Sequence, residues 1–269
     1  KLKSVATRLG LPIENKSIAE IAEAVARTAL SEFSEKETPL AWAATTVTKG
    51  MVANFLKHGV VPTGIDSQVA DIMHRTTYGV DADPVNLLLG GIKCALADYA
   101  ACHQATDLAD ILFGTPKPVV SKACLGVLKK EAVNIALHGH NPLLSDMVVQ
   151  VAGDEDLVAR AKAAGASGIN LVGICCTGNE VMVRHGVPLA TSSVSQETAI
   201  LTGALDGLVV DYQCIMPSLA TVAECYHTKL MTTIPFAKMP GATHINFDEK
   251  DARKAARQPK RTPSQAMSG

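Results

Sequence analysis

Three short stretches of this sequence carry the residue types from which metal sites and nucleophilic sites are built. They are His138-Gly139-His140-Asn141-Pro142, Gly173-Ile174-Cys175-Cys176-Thr177-Gly178-Asn179-Glu180, and Gln213-Cys214-Ile215-Met216-Pro217. Each follows a short apolar run that reads as a strand. In an open parallel sheet the loops leaving the carboxyl ends of the strands gather on one edge, so one imidazole loop and two thiol loops are expected to share it. Taken singly, a loop histidine is usually a hydrogen-bonded polar residue, and a cysteine closing a strand usually packs as a small apolar group. Taken together, soft and borderline donors at equivalent topological positions suit a transition metal or an iron–sulfur centre.

Other readings of these stretches fail on particular residues. Gly173 and Gly178 are spaced as in a phosphate-binding loop, but Asn179 stands where a lysine should reach the phosphates. No GxGxxG follows the first strand of the sheet, and no CxxC supports thioredoxin-like chemistry or structural zinc. A disulfide between adjacent cysteines closes a strained ring. In strand geometry successive residues point to opposite faces, so one thiol is expected to be a ligand and the other to pack. A Cys–His pair, with Cys176 or Cys214 as nucleophile and His140 as base, is a second enzymatic reading, but no residue supplies the third, orienting group.

The elements that position these loops fall into two regions. Over the first ~115 residues, cap and periodicity signals predict helices. Ser17 and Glu20 form a capping box ahead of Ile21, Val25 and Leu30, and Leu40 to Lys57 reads as one run ending at Gly59. Asp66 is placed to cap a helix running to Tyr78, and Asp83-Pro84 pairs a cap residue with a first-turn proline. Beyond "GTPKP" short apolar runs alternate with helical patterns, which predicts βαβ units and a parallel sheet. The expected strands are 133–138, 169–174, 188–192, 207–212, 229–234 and 243–247. The fold class is therefore α/β: an N-terminal helical domain, 1–117, followed by a Rossmann-like doubly wound parallel sheet domain, 118–257. Residues 258–269 are polar and without periodicity, as in a flexible tail.

Composition narrows the function classes. Hydrophobic residues make up 47% of the 269, which describes a packed globular chain. Lys and Arg number 25 against 26 Asp and Glu, which gives no long-range attraction to nucleic acid or an anionic membrane. No apolar stretch reads as a membrane span and no secretory signal is evident, so a cytoplasmic setting is expected. Seven cysteines without a regular framework point to reduced thiols or metal ligands, with Cys94, Cys102 and Cys124 expected to pack as small apolar groups.

At "MHRTTYGVDADPVNLLL", "NIALHGHNPLLS", "GINLVGICCTGNEVMVRHG", "VVDYQCIMPSL" and "PGATHINFDE" the sequence resembles the catalytic subunit of anaerobic nickel–iron carbon monoxide dehydrogenase. It is similar, more distantly, to hybrid cluster protein. The resemblance runs from the first helices to about Arg257 and implies an oxidoreductase that converts CO and water to CO2, two protons and two electrons at a buried nickel–iron–sulfur C-cluster. It implies that His140 and Cys176 ligate the iron outside the cubane-like core, which carries the hydroxide, and that Cys214 holds an iron of that core. Nickel would bind CO, and the positive iron would lower the pKa of its water. The choice of His140 over His138 rests on a Gly-His element shared with hybrid cluster protein, and that of Cys176 over Cys175 on the family pattern. His138 and Cys175 are candidates for supporting positions around the ligands.

Family members also carry a cysteine-rich N-terminal segment that binds further iron–sulfur clusters near the dimer axis. A second α/β domain supplies three more C-cluster cysteines and groups that handle protons. This chain is expected to be a central segment with a partial ligand set. The partners implied are a redox protein such as a ferredoxin, a second copy in a homodimer, and acetyl-CoA synthase, with no nucleic acid. The alternatives are hydroxylamine reduction of the hybrid cluster kind, or a non-catalytic α/β scaffold.

Overall fold

The computed structural model describes residues 1–257 and divides into two compact units, Lys1–Thr115 and Pro116 onward. The expected tail, 258–269, lies outside the described residues.

The first unit is helical: α1 (Leu2–Arg8), α2 (Ile18–Ser31), α3 (Ala41–Thr45), α4 (Lys49–Lys57), α5 (Ile65–Thr77) and α6 (Pro84–Phe113). The capping box at Ser17 and Glu20 is present, and Asp83 caps α6 with Pro84 in its first turn. The single run expected from Leu40 to Lys57 is instead two helices, because the Thr48 hydroxyl accepts the Met51 N–H and restarts the chain there. The N-cap of α5 is Gly64, not Asp66, which lies in the first turn. A Cβ at Gly64 would lie 2.7 Å from the Ser34 carbonyl oxygen, so the tight entry selects glycine. Buried Asp107 ties three helices together, taking Lys1 at 2.9 Å, the Trp42 indole N–H at 2.9 Å, and the Arg8 guanidinium.

Two expectations are corrected. At 30 residues, α6 is long and apolar enough to cross a bilayer by length and composition, although Lys93, Asp98, Asp107 and Asp110 interrupt it. Cys102 is exposed and Cys94 only partly covered, because much of α6 lies at the surface; Cys124, in the second unit, is exposed as well.

The second unit is a six-stranded sheet of order β3-β2-β1-β4-β5-β6, with every pairing parallel. Its strands are β1 (Val133–His138), β2 (Ile169–Ile174), β3 (Leu189–Thr191), β4 (Gly207–Val210), β5 (Lys229–Thr232) and β6 (Thr243–His244). Between and after them run α7 (Pro142–Ala152), α8 (Glu155–Ala163), α9 (Cys175–His185), α10 (Glu197–Leu201), α11 (Ser218–Glu224) and α12 (Ala252–Arg257). The last four strands are shorter than expected, because the chain turns away before the apolar runs end.

Alternation along the strands builds two cores. Ala136, Val172, Ile174, Leu208, Val210 and Leu230 face α10 and α11, while Ile135, Leu137, Val209 and Met231 face α7, α9 and α12. Each of the valine, leucine, isoleucine and methionine side chains contributes about 1.5–3 kcal/mol when fully buried. The strand order reverses direction between β1 and β4, which opens a crevice at their carboxyl ends.

The two glycines of "GICCTGNE" have a packing role. Gly173 on β2 and Gly178 on α9 lie back to back: a Cβ on Gly173 would lie 2.9 Å from the Gly178 carbonyl oxygen, and one on Gly178 would lie 2.6 Å from the Gly173 carbonyl carbon. Neither position has room for a methyl group. Gly178→Ala is expected to destabilise the second unit by about 1–3 kcal/mol, read from its urea midpoint. Gly91→Ala, on open space within α6, is expected to stabilise by about 0.5–1 kcal/mol.

Candidate metal centre

The imidazole loop leaves β1 at the crevice and is shaped by a carboxylate on the neighbouring strand. Asp211, directly after β4 and 2% exposed, accepts the backbone N–H of His140 at 2.6 Å, that of Asn141 at 2.8 Å, and that of Tyr212. Burial pushes its carboxyl above the ordinary range while these three donors pull it back. Gly139 adopts φ +127°, and a Cβ there would overlap the Asp211 carboxylate, so the loop closes only around glycine. Asn141 then caps α7 by accepting the Leu144 N–H.

This loop selects the tautomer of His140. Its Nδ1 lies 3.2 Å from the Tyr212 carbonyl oxygen, which only accepts, so Nδ1 carries the hydrogen and Nε2 is the nitrogen left to act as a donor atom in the neutral ring. A metal-binding histidine is commonly held in this way. His138, at the end of β1, is buried, with Nε2 2.9 Å from the Gln196 amide oxygen; burial pushes its pKa down.

The cysteine pair stands elsewhere than strand geometry places it. β2 ends at Ile174 and α9 begins at once, with Cys175 in the left-handed region at φ +60°. The alternation rule therefore does not apply, and the expectation that Cys175 points away from Cys176 is corrected. Their sulfurs are 3.8 Å apart, with Cys175 in the core against β2 and Cys176 exposed. The Asn179 amide, at the position that disqualified a phosphate loop, donates to the Cys175 carbonyl at 2.9 Å. The Thr177 N–H donates to the Gly139 carbonyl at 3.0 Å, which joins the first turn of α9 to the imidazole loop.

Cys214 completes the group. Gln213 and Cys214 take φ +63° and +56°, so three of the four non-glycine residues with positive φ among the described residues lie in the two thiol loops. Such backbone costs about 1–3 kcal/mol per residue and persists where the surroundings impose it. Partial loss of water pushes the Cys214 thiol up, and Cys175 pushes it further. Cys176 is pushed up to about 11 by burial first, then by its hydrogen bond and charge coupling to Cys175, with Cys214 adding to the effect. Thiols that raise one another in this way release their protons readily only to a positive group.

The chemistry of this donor set suits an iron–sulfur group. Among the described residues no three His, Cys, Asp or Glu side chains already form the shell of a single ion. A cluster asks for something different, namely separate donors around a multi-atom inorganic core. The structure brings the His140 loop and both thiol loops together through Asp211, Thr177 and the thiols themselves. Asp211 and Gln196 were not identified from the sequence. A carboxylate directly after a buried strand was the available signal for Asp211; no local signal marks Gln196.

Fold and site together define an α/β protein with thiol and imidazole donors at the switch point of a doubly wound sheet. The chain belongs to the Prismane/CO dehydrogenase family, whose model matches residues 1–262. It is 56% identical over 258 residues to carbon monoxide dehydrogenase 2 of Carboxydothermus hydrogenoformans, covering 96% of this chain and 40% of that protein. It is 52% identical to the beta subunit of carbon monoxide dehydrogenase/acetyl-CoA synthase of Moorella thermoacetica, covering 96% of this chain and 38% of that one. A nickel-free crystal structure of carbon monoxide dehydrogenase from Thermococcus sp. AM4 superposes with a TM-score of 0.95 at 48% identity, over 98% of this chain and 42% of that one. The chain thus spans about two-fifths of the length of these relatives.

Thiol titration gives a direct check of the site. In the metal-free chain, iodoacetamide labelling of Cys176, resolved by mass spectrometry, is expected to keep rising to about pH 11. A free cysteine levels off above about pH 8.5.

Proposed function

We propose that this chain forms one wall of the nickel–iron–sulfur site of an anaerobic carbon monoxide dehydrogenase, with His140, Cys176 and Cys214 as its ligands. The reaction is CO + H2O to CO2 with release of two protons and two electrons. The observation that carries this reading is the assembly of the imidazole loop and both thiol loops at the β1/β4 crevice, with the His140 tautomer set by the Tyr212 carbonyl.

The residues of the chain would act as follows. His140 would offer Nε2 while Asp211 and Tyr212 hold its loop. Cys176, exposed, is preferred as ligand over the buried Cys175, whose sulfur lies 3.8 Å away as a supporting neighbour. Cys214 would add a thiolate from the loop after β4. His138 is a supporting residue bonded to Gln196. When bound, the cluster would supply a metal site for CO and a Lewis acid that lowers the pKa of water, with sulfide and thiolate ligands to spread the two electrons.

In this reading the three residues are a partial ligand set, and the remaining ligands would come from outside the described residues. The proposal extends to further iron–sulfur clusters in such a complete protein, a homodimer, a redox partner of the ferredoxin class, acetyl-CoA synthase as a possible associate, and a cytoplasmic setting.

Anaerobic loading with ferrous iron, sulfide and nickel tests the reading. Residues 1–269 are expected to bind iron, with iron-57 Mössbauer signals of a sulfur-ligated species, and severalfold less in Cys176→Ala and Cys214→Ala. No CO-dependent dye reduction is expected from this chain alone. Iron uptake unaffected by either substitution would favour a scaffold without a cluster, and CO oxidation by the isolated chain would overturn the partial-site reading.

A further inference from the structure

Gln196 lies directly before α10, with 0% of its surface exposed, and every polar atom of its side chain is engaged. Its Oε1 accepts the Met216 N–H at 3.0 Å and lies 2.9 Å from His138 Nε2. Its Nε2 donates to the Cys214 carbonyl at 3.0 Å and to the Ser193 carbonyl at 2.5 Å. A backbone N–H only donates and a carbonyl only accepts, so the amide cannot be turned over, and His138 Nε2 must carry the hydrogen.

The two loop contacts bracket one residue. The carbonyl of Cys214 and the N–H of Met216 lie on either side of Ile215, at the exit of a turn in which Gln213 and Cys214 both hold positive φ. Cys214 is exposed, so side-chain packing does little to impose that conformation. The partner at the other end of the clamp is His138, at the end of β1, the most central anchor the sheet offers.

We infer that Gln196 is a positioning residue: it clamps the strained Cys214 turn to the end of β1 and so fixes where this thiolate meets the cluster. The inference rests on the proposed function for the thiolate's role, but the clamp itself is a property of the metal-free chain.

Two variants of the 269-residue chain test it. Gln196→Met keeps the length of the side chain and removes every hydrogen bond. Gln196→Glu keeps the acceptor for Met216 and loses the donor to Cys214. Hydrogen exchange in the metal-free chain should show Met216 exchanging at least tenfold faster in Gln196→Met and about threefold faster in Gln196→Glu. The loop held by Asp211, residues 139–141, should be unchanged. After loading with iron, sulfide and nickel, the Mössbauer spectrum of Gln196→Met should differ from wild type, with Gln196→Glu partly restored.

Met216 exchange within twofold of wild type would overturn the clamp, as would equal acceleration throughout the second unit, which would make Gln196 ordinary packing. If Gln196→Met fails to fold, Gln196→Glu decides by the same measure. A loosened turn with an unaltered loaded spectrum would overturn the link to the cluster. Absence of iron in wild type would refute the proposed function, and the exchange data would still decide the clamp.

Discussion

The arrangement at the crevice depends on one buried carboxylate. Asp211 stands where the sheet changes direction, and its two oxygens take three backbone N–H groups from two separate loops. In water these donors would be solvated at little cost; in the interior each needs a partner. A single acceptor that satisfies donors on both sides forces the β1 and β4 loops into a common frame. Gly139, the Tyr212 carbonyl and the orientation of His140 follow from that frame.

The thiols present the opposite electrostatic situation. Three cysteines come together, and loss of water first and their influence on one another second raise the Cys176 and Cys214 thiols. The same grouping that disfavours thiolates in the bare chain favours a positively charged inorganic core, because uptake removes the protons and the mutual repulsion together. The polar groups at the other end of the sheet need no such partner. There Asn134 and Asn170 are buried but bonded to each other and to the carbonyls of Lys129, Ala204 and Val127. One end of the sheet is electrostatically complete, and the other gathers thiols whose protons are held more tightly than usual.

How far the sequence revealed this depended on the range of each interaction. β1 and β2 were legible to the residue, since runs of six residues rich in β-branched and aliphatic side chains are too short for a typical helix and are followed by turn or glycine-bearing segments. The capping box of α2 and the Asp83-Pro84 start of α6 were legible because their partners lie two or three residues away. The Cys175–Cys176 pair was misplaced because α9 starts without a linker, through one left-handed residue that carries no glycine to announce it. Asp211 and Gln196 act across separations of 70 and 58 residues, and no local pattern encodes such contacts. The candidate donors could be read as residue types in loops, while the groups that orient those loops could not.

The back-to-back glycines of β2 and α9 also bear on how this segment can change over time. Gly173 and Gly178 bracket both cysteines, and each excludes a side chain on the other. The intervening four residues therefore form a cassette of fixed length: an insertion or deletion would part the glycines and shift the thiols together. Divergence within the cassette is confined to exchanging one side chain for another at constant spacing, so either cysteine can be replaced but neither can shift along the chain relative to the glycines.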